Sequence, residues 1–98
     1  MKQVLVDRYV IETLMRDLIS HDKKPSAFVV YLYLWQRTHG ESRRSVHQSH
    51  QQLADATGLS KSAVQSAVKM LARRRLVEIK RRSATATPEY QVRRPWAD

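Results

Sequence analysis

Residues 49–76, SHQQLADATGLSKSAVQSAVKMLARRRL, decide how this chain folds. Ser49 and Gln52 have the spacing of a capping box, in which the serine hydroxyl and the glutamine amide satisfy each other's backbone N–H. Leu53, Ala54 and Thr57 then give one inner face, and Gly58 is placed to end the helix, because glycine accepts positive φ without strain. Ser60 caps a second helix whose buried stripe is Val64, Ala67, Val68 and Leu71, running to about Arg74. Ala54, Gly58 and Val64 mark the joint: a small residue where the helices meet, glycine in the turn, and an apolar residue that locks the pair. Leu53, Leu59 and Val68 supply the remaining contacts, so the two helices cross steeply and the second projects outward.

This is the pattern of a helix-turn-helix, and the projecting face suits double-stranded DNA. Lys61, Ser62, Gln65, Ser66, Lys69 and Arg73 lie opposite the apolar stripe, with no acid among them. A helix of this kind fits the B-form major groove. Gln65 can donate to and accept from adenine at once. Lys61 and Lys69 reach guanine acceptors or phosphates, while Ser62 and Ser66 are short enough for close backbone approach. Arg73 and Arg74, near the helix end, are expected on phosphate, and Ser49 and His50 at the first helix start are expected at the same surface. The competing reading, two amphipathic helices in an ordinary bundle, leaves the acid-free face unexplained.

Outward from this stretch the periodicity changes. After Leu76, Val77 and Ile79, then Tyr90 and Val92, alternate with polar residues and predict a two-stranded hairpin over 77–94 with a long tip, Ser83–Glu89. On the other side, Pro25 suits a helix start, and Ala27 to Trp35 runs without a polar break, predicting a helix over 26–39 that several neighbours must cover. Gly40 is its expected stop. Glu41–Gln48 reads as a loop with room for a short strand around Val46. Val10, Ile11, Leu14, Met15, Leu18 and Ile19 predict an amphipathic helix over 7–20, capped by Asp7 and stapled by Val6 and Ile11. Lys2–Val6 is either a short strand or an extended arm, and Trp96 is expected to fold back as a C-terminal anchor.

The stretch LADATGLSKSAVQSAVKMLARRRLVEIKRR, followed by ATPEYQV, resembles the winged helix-turn-helix of bacterial transcriptional regulators such as the MarR and GntR families; plasmid replication initiators carry it too. The resemblance spans about residues 26–93. It implies that Ser60–Arg74 is the recognition helix and Val77–Arg93 the wing. Where these families place glycine ahead of the wing, this chain has Arg75, and positive φ is costly for arginine, so a different helix end is expected. The tip lacks glycine and a central arginine, so phosphate contact from Lys80 and Arg82 is expected rather than insertion into the minor groove. An effector domain of the GntR kind is not expected.

Charge agrees with this reading. The chain of 98 residues has a formal charge of +9, of which residues 1–40 hold +2, residues 41–60 none and residues 61–98 hold +7. Such localised excess favours a polyanion partner over a merely solvated surface. The length suits one domain, here 1–98. Cysteine is absent, which excludes disulfides and thiolate metal sites. No apolar run approaches the roughly 20 residues of a membrane span, and Lys2, Asp7 and Arg8 argue against a signal peptide. The expected location is cytoplasmic, on the nucleoid.

His39, Glu41, His47 and His50 do not share a register that would converge on a metal, so surface or DNA-facing histidines are expected and neither metal nor cofactor is. Asp55 and Glu78 are isolated acids and no nucleophile has a base beside it, so no enzyme is expected. Tyr31, Tyr33 and Trp35 suit core or dimer packing better than stacking on single strands. The reading is a mainly α fold with a small β-hairpin: a winged helix-turn-helix with an additional N-terminal helix. Its expected function is sequence-specific binding of double-stranded DNA as a transcriptional regulator. A homodimer is expected through the N-terminal helix and the Phe28–Trp35 helix. A replication or partition role on the same fold, and a winged-helix module that binds an acidic protein, are the alternatives; an RNA-binding role would need exposed aromatics.

Overall fold

The apolar run after Pro25 forms helix α1, Pro25–Arg37, in a computed structural model that describes residues 2–97. Proline at the first turn costs no hydrogen bond there and pre-sets the helical φ. Ala27, Phe28, Val30, Tyr31, Leu34 and Trp35 are all buried, so α1 is covered on most of its circumference. It touches every other layer: the N-terminal helix, α2 (His50–Thr57), α3 (Lys61–Arg73) and strand β3 (Glu89–Val92). Its end departs from expectation. Thr38, not Gly40, closes it, its hydroxyl donating 2.8 Å to the Leu34 carbonyl. Gly40 lies in a 3₁₀ turn, His39–Glu41, and the left-handed residue that follows is Ser42, at φ 55°.

The N-terminal helix contains two π-helical stretches, Val10–Leu14 and Asp17–His21. In the second, the Asp22 N–H reaches back five residues to the Asp17 carbonyl at 2.9 Å. The buried residues Val10, Leu14 and Leu18 recur every four positions. An ideal α-helix would rotate such a row by about 40° per step; the wider π turns hold it straight against α1. The broader apolar stripe expected here therefore splits. Ile11 and Ile19 stay 48% and 41% exposed. Asp7 does not cap this helix with its side chain. Its carboxylate instead accepts from the Trp96 indole at 3.0 Å, and the Arg94 guanidinium lies 2.9 Å away as a charge contact without hydrogen-bond alignment. Trp96 stacks on Tyr9 with ring centroids 4.5 Å apart, the anchoring expected of it. Lys2–Val6 forms no strand; the Leu5 carbonyl accepts from the Trp35 indole at 2.9 Å.

The sheet has three antiparallel strands, ordered β1 (Val46–His47), β3, β2 (Val77–Lys80). Tyr90 of β3 is paired with Val46 on one side and Ile79 on the other, so the short strand near Val46 completes the hairpin's sheet. Alternation turns Val77, Ile79, Tyr90 and Val92 to the core and Glu78, Lys80 and Gln91 away from it. Tyr31 of α1 donates 2.8 Å to the Arg93 carbonyl, which ties the sheet to the central helix. The whole is mainly helical, with the small sheet at one side of α3.

The α3–β2 junction overturns the expectation for Arg75. It does adopt the left-handed conformation, φ 58°. The Leu76 N–H bonds the Leu71 carbonyl at 2.9 Å, the wrap-around closure normally built with glycine. A left-handed non-glycine residue costs about 1–2 kcal/mol, partly offset because arginine loses less backbone entropy than glycine on folding. Arg75→Gly should therefore raise stability by about 0.5–1 kcal/mol, roughly 2–8 °C in Tm. Gly58→Ala, at φ 80° in open space, should lower it by a similar amount through backbone strain alone. Calorimetry of both variants, with Arg75→Ala as the control that gains nothing, tests the assignment.

Candidate nucleic-acid interface

The site begins at the start of α2. The Gln52 N–H donates 3.0 Å to Ser49 Oγ, and the Ser49 N–H donates 2.8 Å to Gln52 Oε1, completing the capping box. Gly58 ends α2 in the left-handed region, and Ser60 Oγ accepts from the Ala63 N–H at 3.1 Å to start α3. Val64, Ala67, Val68 and Leu71 are buried against the core, which aims the opposite face of α3 outward. Lys61, Ser62, Gln65, Lys69 and Arg73 lie exposed on that face, and no acidic residue occurs between positions 61 and 73.

Two residues expected on this face are engaged elsewhere. Ser66 is half-buried and accepts a 2.7 Å hydrogen bond from Lys24 Nζ. Arg74 is paired with Asp22, whose side chain is only 8% exposed and which also meets His21 Nδ1 at 2.8 Å. The segment Asp22–Lys24 thus lies along one flank of α3. It holds that flank by charge at one end and by an amine–hydroxyl bond at the other. Spacing along α3 gave no sign of this, because both partners come from more than 40 residues upstream. Ser49 likewise spends its hydroxyl on the α2 cap.

The other flank of α3 faces the hairpin across an open cleft. Gln65, Lys69 and Arg73 line one wall, Arg81 the other, and His50 stands at the α2 end. Burial, then the positive charge of Arg81 and Lys61, hold the His50 imidazole below its usual pKa. Lys80 and Arg82 go to a different place. They gather around Glu89, opposite Lys80 in strand register, and Lys80 Nζ is 3.8 Å from Glu78. Glu89 accepts from Ser45 at 2.5 Å; that hydrogen bond first, then His47, Lys80 and Arg82, keeps its carboxyl below the ordinary range. Arg81 is the residue that inspection of the sequence missed. Strand alternation was the available signal: 77 and 79 face the core in β2, and Arg81, one residue past its end, continues that parity to the cleft while also bordering the space around Lys80 and Arg82.

His39 lies tilted against Trp35 with ring centroids 4.4 Å apart, and among the described residues no three His, Asp or Glu side chains gather as a metal would need. Among the described residues no helix is long and apolar enough to cross a membrane. Comparison with protein-family models, curated proteins and solved structures finds no match.

The flank clamp makes a stability prediction. Hydrogen bonding from His21 and the charge of Arg74 hold the Asp22 carboxyl below its usual pKa. A carboxylate with a depressed folded pKa stabilises the fold above its unfolded pKa, and that contribution is lost as pH falls through the lower folded value. Asp22→Asn should cost about 1 kcal/mol at pH 7, a figure kept small because Arg74 is partly solvated. The gap to wild type should close toward about pH 2. Urea midpoints of the two proteins across this range test it; a gap independent of pH would assign the effect to packing instead.

Proposed function

We propose that the chain is a sequence-specific double-stranded DNA-binding protein of the winged helix-turn-helix kind, acting as a transcriptional regulator. In this reading α3 is the recognition helix and the β2–β3 hairpin the wing. One observation carries it: the exposed face of α3 and the facing Arg81 form a continuous basic, acid-free concave surface. A helix face for an acidic protein would be expected to mix charge or present apolar side chains, and the outward face of α3, with Lys61, Ser62, Gln65, Lys69 and Arg73, is polar and basic. A replication or partition role would use the same contacts.

Gln65 and Ser62 read base edges; Lys61, Lys69, Arg73 and Arg81 neutralise phosphates. Lys80 and Arg82 belong to the wing's outer side and act on flanking phosphate only if the duplex bends towards them. With about five phosphates contacted, the log–log dependence of affinity on salt should have a slope near −4 to −5 per subunit. Arg81→Ala should weaken all sequences alike and make that slope shallower by about 1, whereas Gln65→Ala should alter sequence preference and leave the slope unchanged. Fluorescence polarisation against duplexes selected from a random pool measures both; a slope near zero would remove the electrostatic basis of the proposal.

The second partner is another copy of the chain. The structure narrows the surface on offer, because Phe28, Tyr31 and Trp35 are consumed by the chain's own core. On these two helices Tyr9, Ile11, Ile19 and Val29 stay exposed, at 39%, 48%, 41% and 39%. A homodimer through these residues would present two α3 helices to a two-fold site. Light scattering at high micromolar concentration should give twice the 11.4 kDa chain mass, reverting to one chain mass in Ile11→Glu/Ile19→Glu.

A further inference from the structure

We propose that the free edge of β2 docks the same edge of a second copy of the chain, antiparallel, about a two-fold axis at Ile79. Among the described residues β2 pairs with β3 alone. The Arg93 N–H donates 2.8 Å to the Leu76 carbonyl, which fixes the alternation along that pair. Residues 76, 78 and 80 aim their backbone groups at β3, and Val77 and Ile79 aim theirs at the opposite edge. Among the described residues no backbone hydrogen bond is made there by Val77 or Ile79. A space of about 380 Å³ lies beside them, bordered by Ala72, Arg75 and Arg93 as well. Val77 and Ile79, which face the core, and Glu78, which faces away, all border it. The space therefore runs along the edge itself, where an added strand would lie about 4.8 Å from β2.

Parity and charge decide which strand fits. A two-fold strand pair must match edge-aimed backbone with edge-aimed backbone, so the axis falls on a residue and never between two. An axis at Glu78 sets carboxylate against carboxylate, and one at Lys80 or Arg81 sets cation against cation. An axis at Val77 would need Arg75 opposite Ile79, and Arg75 has left the strand at φ 58°. An axis at Ile79 sets Glu78 opposite Lys80 of the second copy, and Lys80 opposite its Glu78. Val77 then meets Arg81 of the second copy, so no like charges stand opposite each other. Ile79 exchanges both backbone bonds with its own counterpart. Positions 78 and 80 are the closely spaced, non-hydrogen-bonded ones, where side chains across a strand pair interact most directly. Glu78 and Lys80 are 45% and 65% exposed, so both can turn to a second copy. Charge on an edge strand ordinarily repels another edge. Here opposite charges two residues apart make the edge complementary to itself.

The strand has four residues, so the contact is small and belongs at about millimolar concentration, above the range in which the N-terminal helix would pair. It rests neither on the DNA reading nor on that helix. The test therefore uses the full chain carrying Ile11→Glu/Ile19→Glu, without DNA. Raising its concentration from about 0.1 to about 2 mM should shift the Val77, Ile79 and Arg81 amide resonances in NMR spectra and slow their hydrogen exchange. Glu78→Lys and Lys80→Glu each set like charges opposite each other at both pairs, so each alone should associate about ten-fold more weakly. An equal mixture of the two restores both pairs, and the shifts should return. The chain with both changes, Glu78→Lys/Lys80→Glu, should associate like its parent. Both side chains are exposed, so the variants should fold, and recovery in the mixture demonstrates it. Amides at 77, 79 and 81 that ignore concentration, or shifts centred on another surface, would overturn the docking edge. So would single variants that associate like the parent, or a mixture no tighter than its components.

Discussion

Helix α1 cannot be left wet on any broad face, and the rest of the structure follows from that constraint. Burying a large apolar side chain stabilises by about 1.5–3 kcal/mol, and α1 carries Phe28, Val30, Tyr31, Leu34 and Trp35 on more than one side. The N-terminal helix covers one part with the Val10–Leu14–Leu18 row, and α2, α3 and β3 cover others. Tyr31 and Trp35 bring polar atoms into this core, and each finds a backbone carbonyl, of Arg93 and Leu5. Those two bonds draw both ends of the chain onto the same helix. The orientation of α3 is a consequence: its apolar stripe is committed to α1, so its polar face has one direction left.

The clamp on the flank of α3 refines that direction. A helix held only by an apolar stripe can roll by a fraction of a turn at modest cost, because hydrophobic burial is not directional. Lys24–Ser66 and Asp22–Arg74 are directional, and they lie along one side of α3, at positions 66 and 74. They oppose rolling toward the hairpin. The cleft on the other side therefore keeps its width by construction rather than by contact across it.

Local grammar carried most of the fold. The capping box at Ser49, the stop at Gly58, the cap at Ser60 and the alternation at 77–79 and 90–92 each act over a few residues, and each occurs where it was read. The departures arose where a distant partner or neighbouring strain outweighed local preference. Asp7 gave up a cap because Trp96 and Arg94 offered a better-shielded contact. The N-terminal helix widens into π turns at Val10–Leu14 and Asp17–His21, which the spacing of its apolar residues does not announce. Arg75 accepted a left-handed backbone because the chain must turn sharply between Leu71 and Val77, both buried. In the candidate site, the exposed face of α3 was legible from spacing. Ser66 and Arg74 were not, since their partners are set by tertiary packing. Arg81 was legible in principle, but three consecutive basic residues hide strand parity unless the register of β2 is known.

The pattern of neutralised charge bears on the site more strongly than the net charge does. Arg8 lies by Glu12, Arg37 and Arg43 by Glu41, Arg74 by Asp22, Arg94 by Asp7, and Lys80 and Arg93 by Glu78. Each of these pairs is off the exposed face of α3. Apart from the Asp22–Arg74 clamp, exposed pairs of this kind contribute little to stability, so their placement is not explained by holding the fold together. Their effect is on the field: every acid they use lies away from the cleft, so Lys61, Lys69, Arg73 and Arg81 keep their full charge around one concave surface. A cleft with low-dielectric walls concentrates such a field. The His50 imidazole is held below its usual pKa first by burial and then by that field, since a proton there would add to the charge of Arg81 and Lys61. An anion entering the cleft would relieve the same repulsion, so the surface is poised for negative charge before any partner arrives.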